Sequence, residues 1–194
     1  MNLTISGIRL MLFTTFLVVT SSCDSDDSTP LMEEEIEEMS EIFFKGSTWL
    51  PTSGLVIDNG EIGNHYNLEL GITDGNLVSQ FGRISISTTM NSGSTFALAF
   101  FMSSFGTDQF SSGTFEFVNQ WEVSQSEGNV FFSGEFIEMN NTQIVAMHPL
   151  SGGTISISGT IPDLTLELDL ELLQSGSPTP LKLTGKYSGS FEFE

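Results

Sequence analysis

Carboxyl groups are the side chains in this sequence that are best suited to chemistry. Glu135 and Glu138 lie three positions apart, and a pair of carboxyl groups flanking a sugar can act as acid and base in glycoside hydrolysis. Glu167, Asp169 and Glu171 are spaced by two, so a β-strand would place all three on one solvated face. The chain contains no sequence motif of a nucleophile elbow, a zinc protease, a P-loop or an EF-hand. We therefore predict no catalytic residue, although a single sequence does not decide whether the protein is an enzyme.

Metal and cofactor sites are not predicted either. The two histidines, His65 and His148, have no acid or cysteine at a ligand spacing, and we expect both at the surface or at the edge of the core. Acidic and amide side chains around positions 58–64 do not form the alternating-ligand loop that calcium prefers.

Two tryptophans are the residues best able to stack on the face of a sugar. Trp49 lies beside Pro51 at the predicted start of the sheet, and Trp121 follows a predicted turn at Asn119. Packing in the core is the favoured interpretation for each, because buried indole rings contribute strongly to cores. An exposed ligand-stacking role stays open for both residues.

The first 23 residues indicate where the chain goes. Residues 1–22 hold one base, Arg9, and no acid, and the apolar run LMLFTTFLVV precedes small residues, which is the layout of a signal peptide. That run is too short for a permanent membrane span of about 20 residues. Cys23, the single cysteine, follows in a setting that resembles the lipobox of bacterial lipoproteins, in which a lipid is attached to the cysteine. The alternative is an ordinary secretory leader with an incidental thiol.

The segment 23–29 contains a second localisation signal. Asp24, Asp26 and Asp27 resemble the acidic export tag that sends lipoproteins of Bacteroidota to the outer face of the outer membrane. The alternative is a flexible acidic tether that charge repulsion keeps solvated. We expect a lipid-anchored protein of the outer membrane that faces the cell exterior.

Charge and composition exclude two classes of protein. The chain of 194 residues has 25 acids against 5 bases, a net charge of -20, so a basic patch that binds nucleic acid is excluded. Seventeen phenylalanines and 39% hydrophobic residues support a packed core and exclude a disordered chain.

Residues 30–45 have the pattern of an amphipathic acidic helix. Thr29 can cap it, Pro30 suits the first helical position, and Lys45 with Gly46 is a plausible end. The apolar residues recur at spacings of four, three and four, which places them on one face: Met32, Ile36, Met39 and Phe43.

From residue 46 onward the hydrophobic period changes to two, and glycine-rich turns separate the runs. This predicts a single all-β domain over 46–194, built as an antiparallel β-sandwich or an up-and-down barrel. The predicted strands are 47–57, 65–72, 77–88, 95–104, 113–118, 121–125, 129–139, 142–147, 153–160 with 163–173, and 181–193.

The last two strands are predicted to form an antiparallel hairpin with a defined register. Pairing Leu172 with Leu181 sets Glu171 opposite Lys182 and Glu167 opposite Lys186. Opposite charges then meet on the outer face. The inward residues would be Leu164 to Leu172 at every second position, together with Leu181, Leu183, Tyr187, Phe191 and Phe193.

The order of sequence segments resembles a group of uncharacterised exported lipoproteins of Bacteroidota. The segments, all within residues 45–194, are KGSTWLPTSGLVIDNG, HYNLELGITDG, TFALAFFMSS, SSGTFEF, GGTISISG, LTLELDLEL and LKLTGKYSGSFEF. The resemblance implies an exported all-β domain, and it implies no functional residue.

These observations predict a binding or interaction module at the cell surface, for a glycan, a protein or an outer-membrane partner. The alternative is a lipocalin-like barrel whose many phenylalanines line a cavity for a small apolar ligand. A hydrolase is the third hypothesis.

Overall fold

β-Strands account for most of the chain that the computed structural model describes, namely residues 39–85, 94–106, 108–140 and 143–194. The all-β prediction is confirmed. The strands are β1 (Glu41–Phe44), β2 (Ser47–Trp49), β3 (Ser53–Ile62), β4 (His65–Thr73), β5 (Val78–Gln80), β6 (Arg83–Ser85), β7 (Phe96–Phe105), β8 (Gly113–Phe117), β9 (Val130–Asn140), β10 (Gln143–Thr160), β11 (Asp163–Leu172) and β12 (Leu181–Phe193), with a 3-10 helix at Gln120–Gln125.

Seven of the described strands form a ring: β3, β4, β7, β9, β10, β11 and β12. Each pairs antiparallel with the next, and β12 returns to β3 in a parallel pairing, with Phe191 opposite Gly54. An odd number of strands that alternate in direction can close only through one parallel pair. The structure is therefore the barrel-like member of the two predicted architectures. Strand β8 enters the ring between β9 and β10.

The β11–β12 hairpin has the register that the sequence predicts. Leu172 lies opposite Leu181 and Glu167 opposite Lys186, and the leucines at every second position of β11 are buried. Lys182 donates to the Asp169 carboxylate at 3.1 Å and lies 3.3 Å from Glu171. The prediction is wrong for Phe193, which is 50% exposed although it pairs with Val56 of β3.

Large apolar side chains fill the interior of the ring. Leu70, Leu98 and Leu166 are completely buried there, and six phenylalanines are the largest buried side chains: Phe44, Phe96, Phe100, Phe115, Phe131 and Phe136. Burying one such side chain contributes about 1.5–3 kcal/mol. These side chains therefore fill the space in which a lipocalin-like barrel would hold its ligand.

The helix predicted for 30–45 is wrong over its last residues, because Glu41–Phe44 is strand β1. Ile42 and Phe44 alternate into the core, whereas Phe43 of the predicted helical stripe is 43% exposed. Lys45 and Gly46 both have positive φ angles and form a two-residue hairpin turn to β2. Pairing of β1 with β12 favours the strand over the predicted helix. Residues 41–44 therefore belong to the sheet, although the β domain was predicted to begin at residue 46. Residues 30–38 lie outside the described part of the chain.

Several other predicted strands differ in the structure. The stretch 47–57 is divided between β2 and β3, and 142–147 and 153–160 belong to one strand, β10. The stretch 77–88 is a hairpin of β5 and β6 that turns at Phe81 and Gly82, both with positive φ; its last residues, 86–88, are outside the described ranges. The stretch 121–125 belongs to the 3-10 helix, whose start Asn119 is held by Glu122, which accepts from the Asn119 N–H at 3.1 Å. Within the residues described, no helix has the length and hydropathy of a membrane span.

Candidate binding groove

A groove of about 590 Å³ lies on the outer face of the ring. Its floor is formed by β7 and β9, one side by the β5–β6 hairpin, and the other by the start of the 3-10 helix and by β10. The polar residues that line it are Glu69, Arg83, Asn119, Gln120, Ser133 and Glu135, and its apolar residues include Ile84, Phe101, Ile137, Ile144 and Met147.

The β5–β6 hairpin is held against the sheet by a small second core. Leu77 and Ile84 pack with Leu55 and Ile57 of β3 and with residues of β7 and β9. Gly71 makes this packing feasible, because a Cβ there would lie 2.8 Å from Leu77 and 3.0 Å from Ile84. The hairpin thereby holds Arg83 at one side of the groove.

A β-bulge in β9 decides which side chains enter the groove. Ala99 lies opposite Glu135 and Phe101 opposite Phe132, so β9 has one more residue than β7 in this interval. Ser133, in the bulge, has a φ of +46°, which is uncommon for a residue other than glycine. The extra residue changes the alternation of the strand and places Glu135 on the outer face.

Glu69 of β4 is a buried carboxylate with a cationic partner. Its Oε2 accepts a hydrogen bond of 2.9 Å from Arg83 Nε. Burial raises the pKa of Glu69, and the nearby Arg83, which lowers it, does not fully compensate. The guanidinium also lies 4.3 Å from the centroid of the Phe101 ring, so Arg83 is bound on two sides.

Glu135 is the second carboxylate of the groove, and it has no cationic partner. Burial alone raises its pKa. Among the residues that the structure describes, none forms a hydrogen bond or an ion pair with its carboxylate. A partly desolvated carboxylate without a partner is energetically unfavourable and is common where a ligand binds.

Apolar side chains at the upper rim of the groove are exposed. Ile144 and Met147 line it, and Val145 lies between them in β10. Trp121, the residue after Gln120 in the 3-10 helix, is 73% exposed but does not itself line the groove. Contiguous exposed apolar groups rimmed by polar residues are typical of interaction sites.

A second polar cluster lies on the inner face of the ring, at the β1–β2 turn. Lys45 Nζ donates to Glu138 Oε1 at 2.9 Å, and His148 Nε2 lies 2.8 Å from the same oxygen. Burial would raise the pKa of Glu138, but the hydrogen bonds and charges of Lys45 and His148 together lower it. His148 is buried and its ring packs edge-on against Phe44, with Nδ1 unpartnered in the described structure.

The predicted carboxylate pair of β9 does not form a shared site. Glu135 faces the groove and Glu138 faces the interior, so one substrate cannot lie between them. Glu167, Asp169 and Glu171 are on the outer face as expected.

The remaining predicted residues are distributed as follows. Trp49 packs edge-on against Phe96 and Phe136, so it is not an exposed stacking platform, and Trp121 is the exposed tryptophan. His65 is buried, with Nδ1 2.9 Å from Asn64 Oδ1. The predicted lipidation site, Cys23, and the predicted export tag of Asp24, Asp26 and Asp27 lie outside the described residues. Within the described ranges, no group of three or more His, Cys, Asp or Glu side chains is placed to hold a metal ion.

Sequence reasoning missed Glu69, Arg83 and the bulge at Ser133. The sequence does contain a signal for the bulge. Ser133 and Gly134 interrupt an apolar run, and the adjacent Phe131 and Phe132 do not show which of the two faces the core. The pairing of Glu69 with Arg83 has no local signal, since the two residues are 14 positions apart and meet only when the β5–β6 hairpin folds onto the sheet.

No protein-family model, curated protein or solved structure matches this chain.

Proposed function

We propose that this protein is a lipid-anchored module of the outer-membrane surface that binds an extracellular ligand or an outer-membrane partner in the groove. The observation that carries the proposal is the partly buried Glu135 carboxylate, which has no partner among the described residues and lies in a groove beside exposed Ile144 and Met147. Glu135 is partly desolvated without a compensating contact, and Ile144 and Met147 remain exposed to water. A ligand that covers these groups gains both apolar burial and a polar interaction.

The proposed location depends on the N-terminal residues. Cys23 is the single cysteine and follows the apolar leader directly, and Asp24, Asp26 and Asp27 come next. A lipid on Cys23 and a short acidic tether would hold the β domain outside the bilayer, where the groove can meet its ligand.

The lipocalin-like alternative receives less support. Its ligand would require space inside the ring, where Phe100, Phe131 and Phe136 are buried together with leucines of β11. The groove lies on the opposite face of the same strands.

Hydrolysis is the second candidate function, and one observation favours it. Glu69 and Glu135 line the same groove and both have raised pKa values, which suits a general acid. Their Cα atoms are about 12 Å apart, judged from two strand spacings and an offset of two residues. Turnover of a glycoside, ester or peptide that is lost in Glu135→Gln would establish this function in place of simple binding.

The groove is tested with a matched pair of substitutions. Met147→Arg introduces a bulky cation into the groove, whereas Phe193→Arg makes the same kind of change at a residue of equal exposure, 50%, that does not line the groove. We expect a ligand selected from glycan and peptide arrays to bind wild type and Phe193→Arg equally and Met147→Arg at least about tenfold more weakly. Equal binding by all three proteins would reject the groove.

The anchor is tested separately on cells. Metabolic labelling with a fatty-acid analogue should label the wild type, and Cys23→Ala should lose both label and membrane retention. Protease added to intact cells should remove the wild type. Equal labelling of Cys23→Ala, or cleavage only after lysis, would contradict the proposed location.

A further inference from the structure

The charges inside the groove are unequally compensated. Arg83 is the cationic side chain among its lining residues, and it is already engaged by Glu69 at 2.9 Å and by the ring of Phe101. Glu135 has no such partner within the described ranges. A ligand that enters the groove therefore meets one carboxylate without a described partner, whereas the charge of Arg83, whose side chain is 60% exposed, is already paired with Glu69.

We propose that the groove binds a peptide segment in which a lysine or arginine lies between apolar residues, with the cationic side chain paired to the Glu135 carboxylate. This inference deepens the proposed function and rests on it. An ammonium or guanidinium group supplies the hydrogen-bond donors and the charge that Glu135 lacks, and charge-assisted hydrogen bonds are stronger than those from neutral hydroxyl groups.

The apolar lining favours a peptide over a sugar. Sugars bind against free aromatic faces, but Phe132 and Arg83 already pack against the ring of Phe101, and the exposed Trp121 is not among the residues that line the groove. The exposed groups beside Glu135 are aliphatic, with Ile144 and Met147 on β10. Aliphatic and methionine side chains adapt to the side chains of a peptide, as at many protein-binding surfaces.

The overall charge of the domain supports the same ligand. Residues 42–194 contain 16 acids and 4 bases, a difference of -12. A negative domain attracts a cationic partner over long range and repels an anionic one. The raised pKa of Glu135 is consistent with a site that is completed by a cation, because a bound cation would favour the ionised carboxylate.

The test compares two sets of capped nonapeptides with purified full-length protein, by fluorescence anisotropy. In one set, a central lysine is flanked by every combination of two apolar residues. The other set has Nε-acetyl-lysine in place of that lysine. We expect the best lysine peptide to bind at least about tenfold more tightly than its acetylated counterpart. Glu135→Gln should abolish that preference. Glu167→Gln removes the same charge from the outer face of β11, away from the groove, and should retain the preference.

The possible failures separate the inference from the proposed function. Equal affinity for the lysine and acetyl-lysine peptides, or a preference that survives Glu135→Gln, would overturn the inference. If glycans bind in place of both peptide sets and Met147→Arg abolishes that binding, the basic-peptide inference is wrong and the groove remains the ligand site. If Met147→Arg alters the binding of neither peptide nor glycan, the proposed function fails with it.

Discussion

Strand β9 has one glutamate on each face, and the two carboxyl groups have opposite surroundings. Glu138 faces the interior and binds Lys45 and His148, which lower its pKa although burial would raise it. Glu135, three residues earlier, faces the groove without a partner in the described structure, and burial raises its pKa. The inner carboxylate is therefore already paired and contributes to stability, whereas the outer one becomes favourable only when something binds.

The contrast shows that burial alone does not identify a functional carboxylate. Glu69 is also buried with a raised pKa, yet Arg83 pairs with it. Glu135 differs from both Glu69 and Glu138 because its desolvation is uncompensated in the described structure, which is why we place the ligand there.

The largest expected effect of a substitution on β9 is at the inner face. Phe136→Ala should lower the free energy of unfolding by about 3–5 kcal/mol, because the fully buried ring contacts Phe44, Phe96 and Trp49. Phe132→Ala is the matched change on the outer face, where the ring stacks on Phe101, and should lower it by about 1 kcal/mol. Urea unfolding measures both. Similar losses would show that the two faces are equally buried.

The second-largest expected effect is the difference in stability between the Glu138 and Glu135 variants. Glu138→Gln weakens the hydrogen bonds to Lys45 and His148 and should lower the free energy of unfolding by about 1–2 kcal/mol at neutral pH. Glu135→Gln makes the identical change without removing a described contact, and it removes a desolvated charge, so at neutral pH it should leave the free energy of unfolding unchanged or raise it by about 0.5 kcal/mol. A loss from Glu135→Gln, also measured by urea unfolding, would reveal a structural role for Glu135.

The pH dependence of stability should differ in sign between these variants. The raised pKa of Glu135 means that its favourable contribution is complete below about pH 4.5 and is lost as the pH rises through the raised pKa. The lowered pKa of Glu138 means that its contribution is complete above about pH 4.5 and is lost as the pH falls through the lowered pKa.

Unfolding curves between pH 3 and pH 8 check this expectation. Relative to wild type, Glu135→Gln should gain stability as the pH rises from about 4 to 7, and the deficit of Glu138→Gln should shrink as the pH falls below about 4.5. Parallel pH profiles for the two variants would be incompatible with the different surroundings of the two carboxylates.

The smallest effect concerns the bulge. Ser133 has a φ of +46°, so Ser133→Gly should raise the free energy of unfolding by about 0.5 kcal/mol, after subtraction of the entropy that glycine adds to the unfolded chain. Ser158→Gly, at an exposed position of strand β10, is the control, and it should lower stability by about 0.5–1 kcal/mol. A loss at both positions would show that Ser133 is not strained.

The sequence predicts the molecule best where a simple alternation runs unbroken. The β11–β12 pairing follows from leucines at every second position and from Lys182 and Lys186 opposite acids, and the structure has that register. At residues 41–44 the same residues fit a helix or a strand. The strand is selected by the hairpin of β1 with β2 and by the pairing of β1 with β12, more than 130 residues away.

The candidate groove was less predictable than the fold. The sequence draws attention to Glu135 because of its proximity to Glu138, but the extra residue at Ser133–Gly134 determines that the two face opposite ways. The other side of the groove depends on the hairpin with Arg83, which packs over Gly71 through contacts between distant segments. A single sequence contains the residues of the site but not their juxtaposition.

The different surroundings of Glu135 and Glu138 are tested most directly by titrating individual glutamate side chains, using carbon-detected NMR of the full-length protein without ligand. We predict that the Glu135 carboxyl titrates above the ordinary glutamate value of 4.5 and that the Glu138 carboxyl titrates below it. A Glu135 that titrates at or below the ordinary value would mean that its charge is already hydrated or paired. That result would contradict the claim that Glu135 awaits a cationic ligand.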